Sequence, residues 1–423
     1  GDVALRANTT GAYNTAVGKG SLGANTTGTE NTAVGSETLE ANTTGQRNTA
    51  IGYKALEDNT GDMNTAVGAY ALPENSTGDN NTAVGRNALR FNTTASNNTA
   101  IGHQALDQNT DGHSNTAVGS GALDANTTAD ENVAVGRNAL GAVTTGSYNT
   151  ALGFEALKTV TTGQQLVAVG RLALGLNTTG SQNTACGYQA LYNNTTGDSN
   201  TAAGYAALYS VTTGSNNTGF GRDTLYFTTT GSDNTAIGNE ALENNTGSNN
   251  TAVGSHALTE NTTGAWNTAV GDESLKANTT ANANTAVGYQ SMLVNTTGAS
   301  NVSLGYHSLK ANTTASYNTA IGRDALEDNT TGANNTAVGA FALEENTTAS
   351  YNTAVGAYAL ESATTGANNT AVGYEALTSV TTNSHNTAVG YWALLNNDAQ
   401  YNTALGKEAV RENTSGSRLV GVG

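Results

Sequence analysis

A pentad of the form Asn-Thr-Ala-Val-Gly returns along this chain at so nearly constant a spacing that it limits the fold before any other feature is considered. Aligned on the glycine closing each pentad, from Gly1, Gly18 and Gly35 to Gly390, Gly406 and Gly423, the 423 residues divide into 25 intervals, 22 of 17 residues and three of 16. The unit N-T-A-V-G-x-x-A-L-x-x-N-T-T-G-x-x fills the sequence, so residues 1–423 are expected to be a single continuous repeat array. Repeat arrays need atypical polar ends to stay soluble; none is visible, which makes the sequence read as a segment of a longer chain or fibre.

Helical-pair repeats need about 33 residues and leucine-rich repeats about 20–29, so a 17-residue unit is too short for either. Two glycines per unit would each cost about 1 kcal/mol inside a helix, whereas the pentad alternates as a strand does. The expected fold is all-β, a parallel β-solenoid or β-roll of about 25 coils. Each coil would hold two short strands, N-T-A-V and the segment around A-L, with bends at the pentad glycine and at N-T-T-G. Two of the short units lose a residue inside the bend (Asn59-Thr60-Gly61 and Asn245-Thr246-Gly247), and the third carries Asn397-Asp398-Ala399 there. Loss at bends preserves strand register, which a slip within a strand would invert.

The columns of the repeat assign faces. Val, Ile or Leu fills almost every fourth pentad position, with Cys186, Ala203 and Phe220 as exceptions, and Leu fills its own column except at Met292 and Val410. These two columns are expected to form the core, with the pentad Thr pointing inward beside Val. The pentad Ala column admits only Gly219, Ser303 and Gly421 as replacements. Restriction to small side chains suggests another backbone close by, so Ala83, Ala100 and Ala117 are expected at an interchain packing face around a common axis. Substituting leucine at these three positions would then disrupt assembly.

The pentads, for example Asn14-Thr15-Ala16-Val17-Gly18, resemble the Asn-Ser-x-Ala-Ile-Gly repeats of trimeric autotransporter adhesin heads. The longer unit is similar to repeats of bacterial and phage tail-fibre-domain proteins. The resemblance implies an intertwined homotrimeric rod. This chain departs from it in its longer repeat and added A-L segment.

Composition narrows the function. With 51 Gly and one Pro it is not collagen, and one Cys forms no intrachain disulfide. Sixteen basic against 33 acidic residues give −17, a field that disfavours nucleic acid and anionic membranes. No apolar run approaches the roughly 18 residues of a membrane span, so membrane insertion of this segment is not expected. No catalytic grouping or cofactor motif stands out, and neither an enzyme nor a cofactor is expected. The five histidines, His103, His113, His256, His307 and His385, lie in separated units. Cys186, in the Val column, reads as a small buried hydrophobe.

Ladders are the remaining candidates. Glu327, Glu344 and Glu361 recur in one column, a candidate cation ladder; Tyr192, Tyr209 and Tyr226 form a candidate ligand or packing ladder. Asn-x-Ser/Thr sequences such as Asn25-Thr26-Thr27 and Asn75-Ser76-Thr77 recur in the bend. Val143, Val160, Val211 and Val380 replace that Asn, which turns it inward as a hydrogen-bonded ladder rather than outward to a glycan. The sequence thus points to a structural protein, the shaft or adhesive body of an extracellular or cell-surface fibre. Its partners would be copies of itself and surface glycans or host-cell receptors. A tail-fibre shaft with receptor binding comes second, and a single-chain ligand- or ice-binding solenoid third.

Overall fold

The computed structural model describes residues 2–423, a parallel β-solenoid without a helix among them. It comprises two compact units, Gly1–Ser215 and Asn216–Gly423. In the first, three-residue strands run from Thr15–Val17 to Thr201–Ala203, one per coil. Each pairs in parallel with the next, Thr to Thr, Ala to Ala and Val to Val. The second unit repeats the pattern from Thr218–Phe220 to Val420–Val422. The 16-residue intervals keep this register, Thr49 pairing with Thr65, Thr235 with Thr251 and Thr387 with Thr403. A residue lost from a bend therefore leaves the ladder intact, as the sequence indicates.

The second expected strand is absent as a regular element. Through the A-L segment the backbone passes twice into the left-handed region, as at Gln104 (φ 56°) and Leu106 (φ 52°), and again at Ser114 (φ 58°) just before the pentad Asn. Coil-to-coil hydrogen bonds persist there, Leu106 N–H donating to Ala122 O at 3.0 Å and Gln104 N–H to Arg86 O at 3.1 Å. One further pair of short strands, Asn396–Asn397 with Glu412–Asn413, occurs in the second unit. A left-handed residue other than glycine costs about 1–3 kcal/mol. Here the conformation folds Leu106 into the interior while its amide reaches the next coil.

The strand faces are the reverse of the sequence expectation. The pentad Ala points into the coil: Ala83, Ala100 and Ala117 are fully buried within their own chain. Thr and Val point out, with Val17 57% and Ile101 40% exposed. The core of a coil such as Asn98–Ser114 is Ala100, Ala105, Leu106, the amides of Asn98 and Asn109, and Gly112. The period-two alternation holds, but in so narrow a coil only a side chain as small as Ala or Ser fits opposite the inward leucine. The Ala column is therefore restricted by its own coil, and those three alanines form no interchain packing face. Cys186, by the same inversion, is exposed.

Two asparagine ladders take up the polar groups of this thin interior. Asn98 N–H donates to Asn81 Oδ1 (2.9 Å), its Nδ2 donates to Gly112 O (2.8 Å), and its Oδ1 accepts from Asn115 N–H (2.9 Å). In the bend, Asn92 Nδ2 donates to Asn75 Oδ1 (2.9 Å) and Ala95 O (3.0 Å), and Asn109 Nδ2 donates to Asn92 Oδ1 (2.9 Å). The bend ladder stops where its column changes: Asn126, Asn194 and Asn346 each leave Oδ1 unpaired, the next coil presenting Val143, Val211 and Ala363. An unpaired buried acceptor costs about 1–3 kcal/mol, so these interruptions are local weak points.

The pentad glycines from Gly18 to Gly406 share a conformation that L side chains rarely adopt. Gly102 has φ 139°, and a methyl there would lie 2.5 Å from Gly119 O. Gly102→Ala is expected to destabilise the chain by about 1–3 kcal/mol or more. Gly141→Ala, where the nearest atom to a methyl is Asn138 O at 3.4 Å, should change little. Thermal unfolding of the two variants checks the contrast.

Candidate functional site

The largest candidate surface is the outward strand face. Its two columns hold Thr or Val and Val, Ile, Leu, Phe, Cys or Ala, and no charged residue enters either. Val135 is 38% exposed and Leu152 38% in the first unit, Ile237 41% and Leu304 46% in the second. With a coil rise of about 4.8 Å and about 3.3 Å per strand residue, each coil offers roughly 50 Å² of this face. The strands of the first unit together present on the order of 600 Å², the apolar column making up about half of it. Parallel sheets with one apolar face in water are rare.

The bend asparagines point inward, as the valine replacements indicate. Asn25 and Asn75 are fully buried, Asn25 Nδ2 donating to Asn8 Oδ1 (2.8 Å) and Asn75 Nδ2 to Asn59 Oδ1 (2.6 Å). Their side-chain nitrogens are committed to the ladder and closed to glycan attachment.

Of the acidic column, Glu327 lies 3.2 Å from Lys310 Nζ and 3.4 Å from His307 Nδ1. Asp324 beside it is paired with Arg323 Nε at 2.8 Å and lies 3.6 Å from His307. His307, Asp324 and Glu327 thus converge from neighbouring coils, a grouping that the separation of the histidines in sequence hides, and Lys310 and Arg323 already pair with its two carboxylates. Glu344 has no such partner among the described residues. Burial first, then the charges of Glu361, Asp324, Glu327 and Asp328, push its carboxyl up to about 7, and burial raises Glu361 as well.

The sign of the pH effect follows. A carboxyl raised in the folded state is protonated more readily folded than unfolded, so ionising it disfavours the fold. The penalty is absent below about 4.5 and complete above about 7. Asp124 and Glu243, raised by burial, act in the same direction; Glu273, lowered by hydrogen bonds from Lys276 and Gln290, opposes them. The unfolding temperature is expected to rise as pH falls from 8 to 5, and Glu344→Gln should flatten that slope.

Tyr192 and Tyr209 stack, ring centroids 5.6 Å apart and planes 13° from parallel. Tyr192 lies over Gly175, where a methyl would meet its Cε2 at 2.7 Å. Tyr226, in the second unit, packs edge-on to Phe227 at 4.7 Å. Tyr188 and Tyr205, near that stack, belong to the column following the pentad glycine, whose preceding members Arg137, Phe154 and Arg171 stand in consecutive coils. Tabulating that column in sequence would have revealed the whole run.

No family model matches the chain, and no curated protein is significantly similar to it. Among the described residues no helix is long and apolar enough to cross a membrane.

Proposed function

We propose that this chain is a structural protein whose outward Thr/Val face joins identical copies, three around a common axis, into the shaft or adhesive body of an extracellular fibre. The observation carrying this reading is the uncharged, in-register strand face left open in the single chain. Two such faces from the first unit would cover on the order of 1,200 Å² in total, the lower bound for a specific, stable protein interface. The second unit adds a face of the same kind. Inter-coil backbone ladders, a dry Ala/Leu core and asparagine ladders supply stiffness without disulfides, and the resemblance to adhesin-head repeats supplies the threefold number.

Sedimentation equilibrium tests the assembly: three chain masses are expected in dilute neutral buffer. A species of one chain mass at micromolar concentration would overturn it. Attachment to a surface belongs to the same proposal and is supported by the aromatic and basic column beside the strands.

A further inference from the structure

The acidic residues are unevenly distributed. Between Glu131 and Asp198 the chain has one acidic residue, Glu155, and three basic ones, Arg137, Lys158 and Arg171, although the whole carries −17. Glu155 is paired with Lys158 at 3.1 Å, which leaves the two arginines uncompensated. Both are exposed, with no carboxylate within ion-pair distance among the described residues.

They are also held in place. The guanidinium carbons of Arg137 and Arg171 lie 5.8 and 5.7 Å from the Phe154 ring centre, and that of Arg171 lies 5.7 Å from Tyr188. Tyr188 stacks on Tyr205 at 5.3 Å, and Tyr205 is 55% exposed. A guanidinium held near aromatic rings within cation–π range still has N–H groups to offer a carboxylate or sulfate. The two arginines are two coils apart, about 9.6 Å, comparable to the length of a disaccharide.

The same side of the coils carries a second lane. Three coils before Arg137, a hollow of about 520 Å³ is framed together by Arg86, from the column after the pentad glycine, and by Arg90 and Phe91, just beyond the column leucine, with Glu57, Asp58 and Glu74 also in its wall. In the coils of Arg137 to Tyr205 that second position is Gly141, Lys158, Gly175, Tyr192 and Tyr209. A smaller hollow of about 330 Å³ opens at Gly141, between Asp124 and Lys158.

We infer that this side of the coils, from Arg137 to Tyr209, binds an acidic polysaccharide laid along the coil stack. The guanidinium edges would take its carboxylate or sulfate groups, while tyrosine hydroxyls and ring edges would take its sugar rings. Nucleic acid fits less well: a duplex carries one charge per about 1.7 Å, far more than two arginines about 9.6 Å apart can match. This inference rests on the attachment part of the proposed function and uses a face of the single chain.

The test uses the full chain and three probes, polygalacturonate, dextran sulfate and neutral dextran. The expected result is salt-sensitive binding to at least one acidic polymer and none to neutral dextran. Polygalacturonate alone would mark a carboxylate ligand, dextran sulfate alone a sulfated one. R137Q/R171Q should weaken that binding about tenfold or more, as should Y188A/Y205A, whereas Arg47→Gln, whose side chain is paired with Glu30 at 3.1 Å, should leave it unchanged. Failure to bind either acidic polymer, or binding indifferent to R137Q/R171Q, would overturn the inference. Sedimentation of the same samples separates the two proposals. Three chain masses without binding would defeat only this one, and one chain mass with binding would defeat only the assembly.

Discussion

Replacing Val84, Ile101 and Val118 together by glutamate is expected to leave each chain folded and to separate the copies. These side chains stand in consecutive coils on the outward face, so in a single chain the carboxylates face water and disturb no core contact. In an assembly built on that face they would be buried without cationic partners, at several kcal/mol for each, enough to reduce association by a factor of about 10³ or more. The neighbouring alanines should behave in the opposite way. Leucine at Ala83, Ala100 and Ala117 adds bulk to a filled interior, where overpacking costs about 1–3 kcal/mol per site. That variant should lose its far-ultraviolet circular dichroism or melt well below wild type, whereas the glutamate variant should keep its spectrum and sediment as one chain. A glutamate variant that still sediments as three chains would remove the outward face from the account.

Asn98→Asp should be among the most damaging single substitutions. Aspartate retains an acceptor for Asn115 N–H but replaces the Nδ2 donor with an oxygen facing Gly112 O, in a site closed to solvent. A buried charge left without a partner costs about 3–5 kcal/mol. Burial and the facing carbonyl raise the carboxyl in the folded chain above its ordinary value near 3.9. The loss therefore grows as pH climbs from about 4 and levels off once the folded carboxyl ionises. Below pH 4 the protonated acid can donate to Gly112 O, and much of the stability should return. Asn98→Leu should cost less and show no such pH dependence, since Leu166 occupies the same column fully buried. Unfolding melts of both variants from pH 3 to 8 check the contrast.

Most of the architecture was legible because period and punctuation depend on local chemistry. The 17-residue spacing, the glycine corners and the tolerance of deletions in the N-T-T-G bend appear in the structure where the repeat places them. The inward turn of the bend asparagines was legible from a substitution pattern, valine for asparagine, that only a buried site accepts. The inside and outside of the strand were not. Hydrophobicity ranks Val above Ala and Asn, but the interior of a coil this narrow selects for volume and for donors that reach ladder carbonyls. Small Ala100 and polar Asn98 are therefore inside and Ile101 outside. The left-handed turn at Leu106 carried no sequence signal, because the leucine's packing overrides the usual preference for Gly or Asn, and at the Gln104 column the signal was thin, Gly20, Asn87, Gly121 and Asn138 being scattered among larger residues. The convergence of His307, Asp324 and Glu327 was concealed by sequence separation and appears only when adjacent coils are superimposed.

The alkylation rate of Cys186, read in the wild-type protein against the dissociated variant, tests the central claim most directly. Its thiol stands on the outward strand face between Val169 and Ala203 of the adjoining coils. If that face joins copies, the thiol in the assembled protein should react many times more slowly than in the dissociated V84E/I101E/V118E variant. Equal rates in a chain that sediments as three copies would place the joint on another surface and contradict the account.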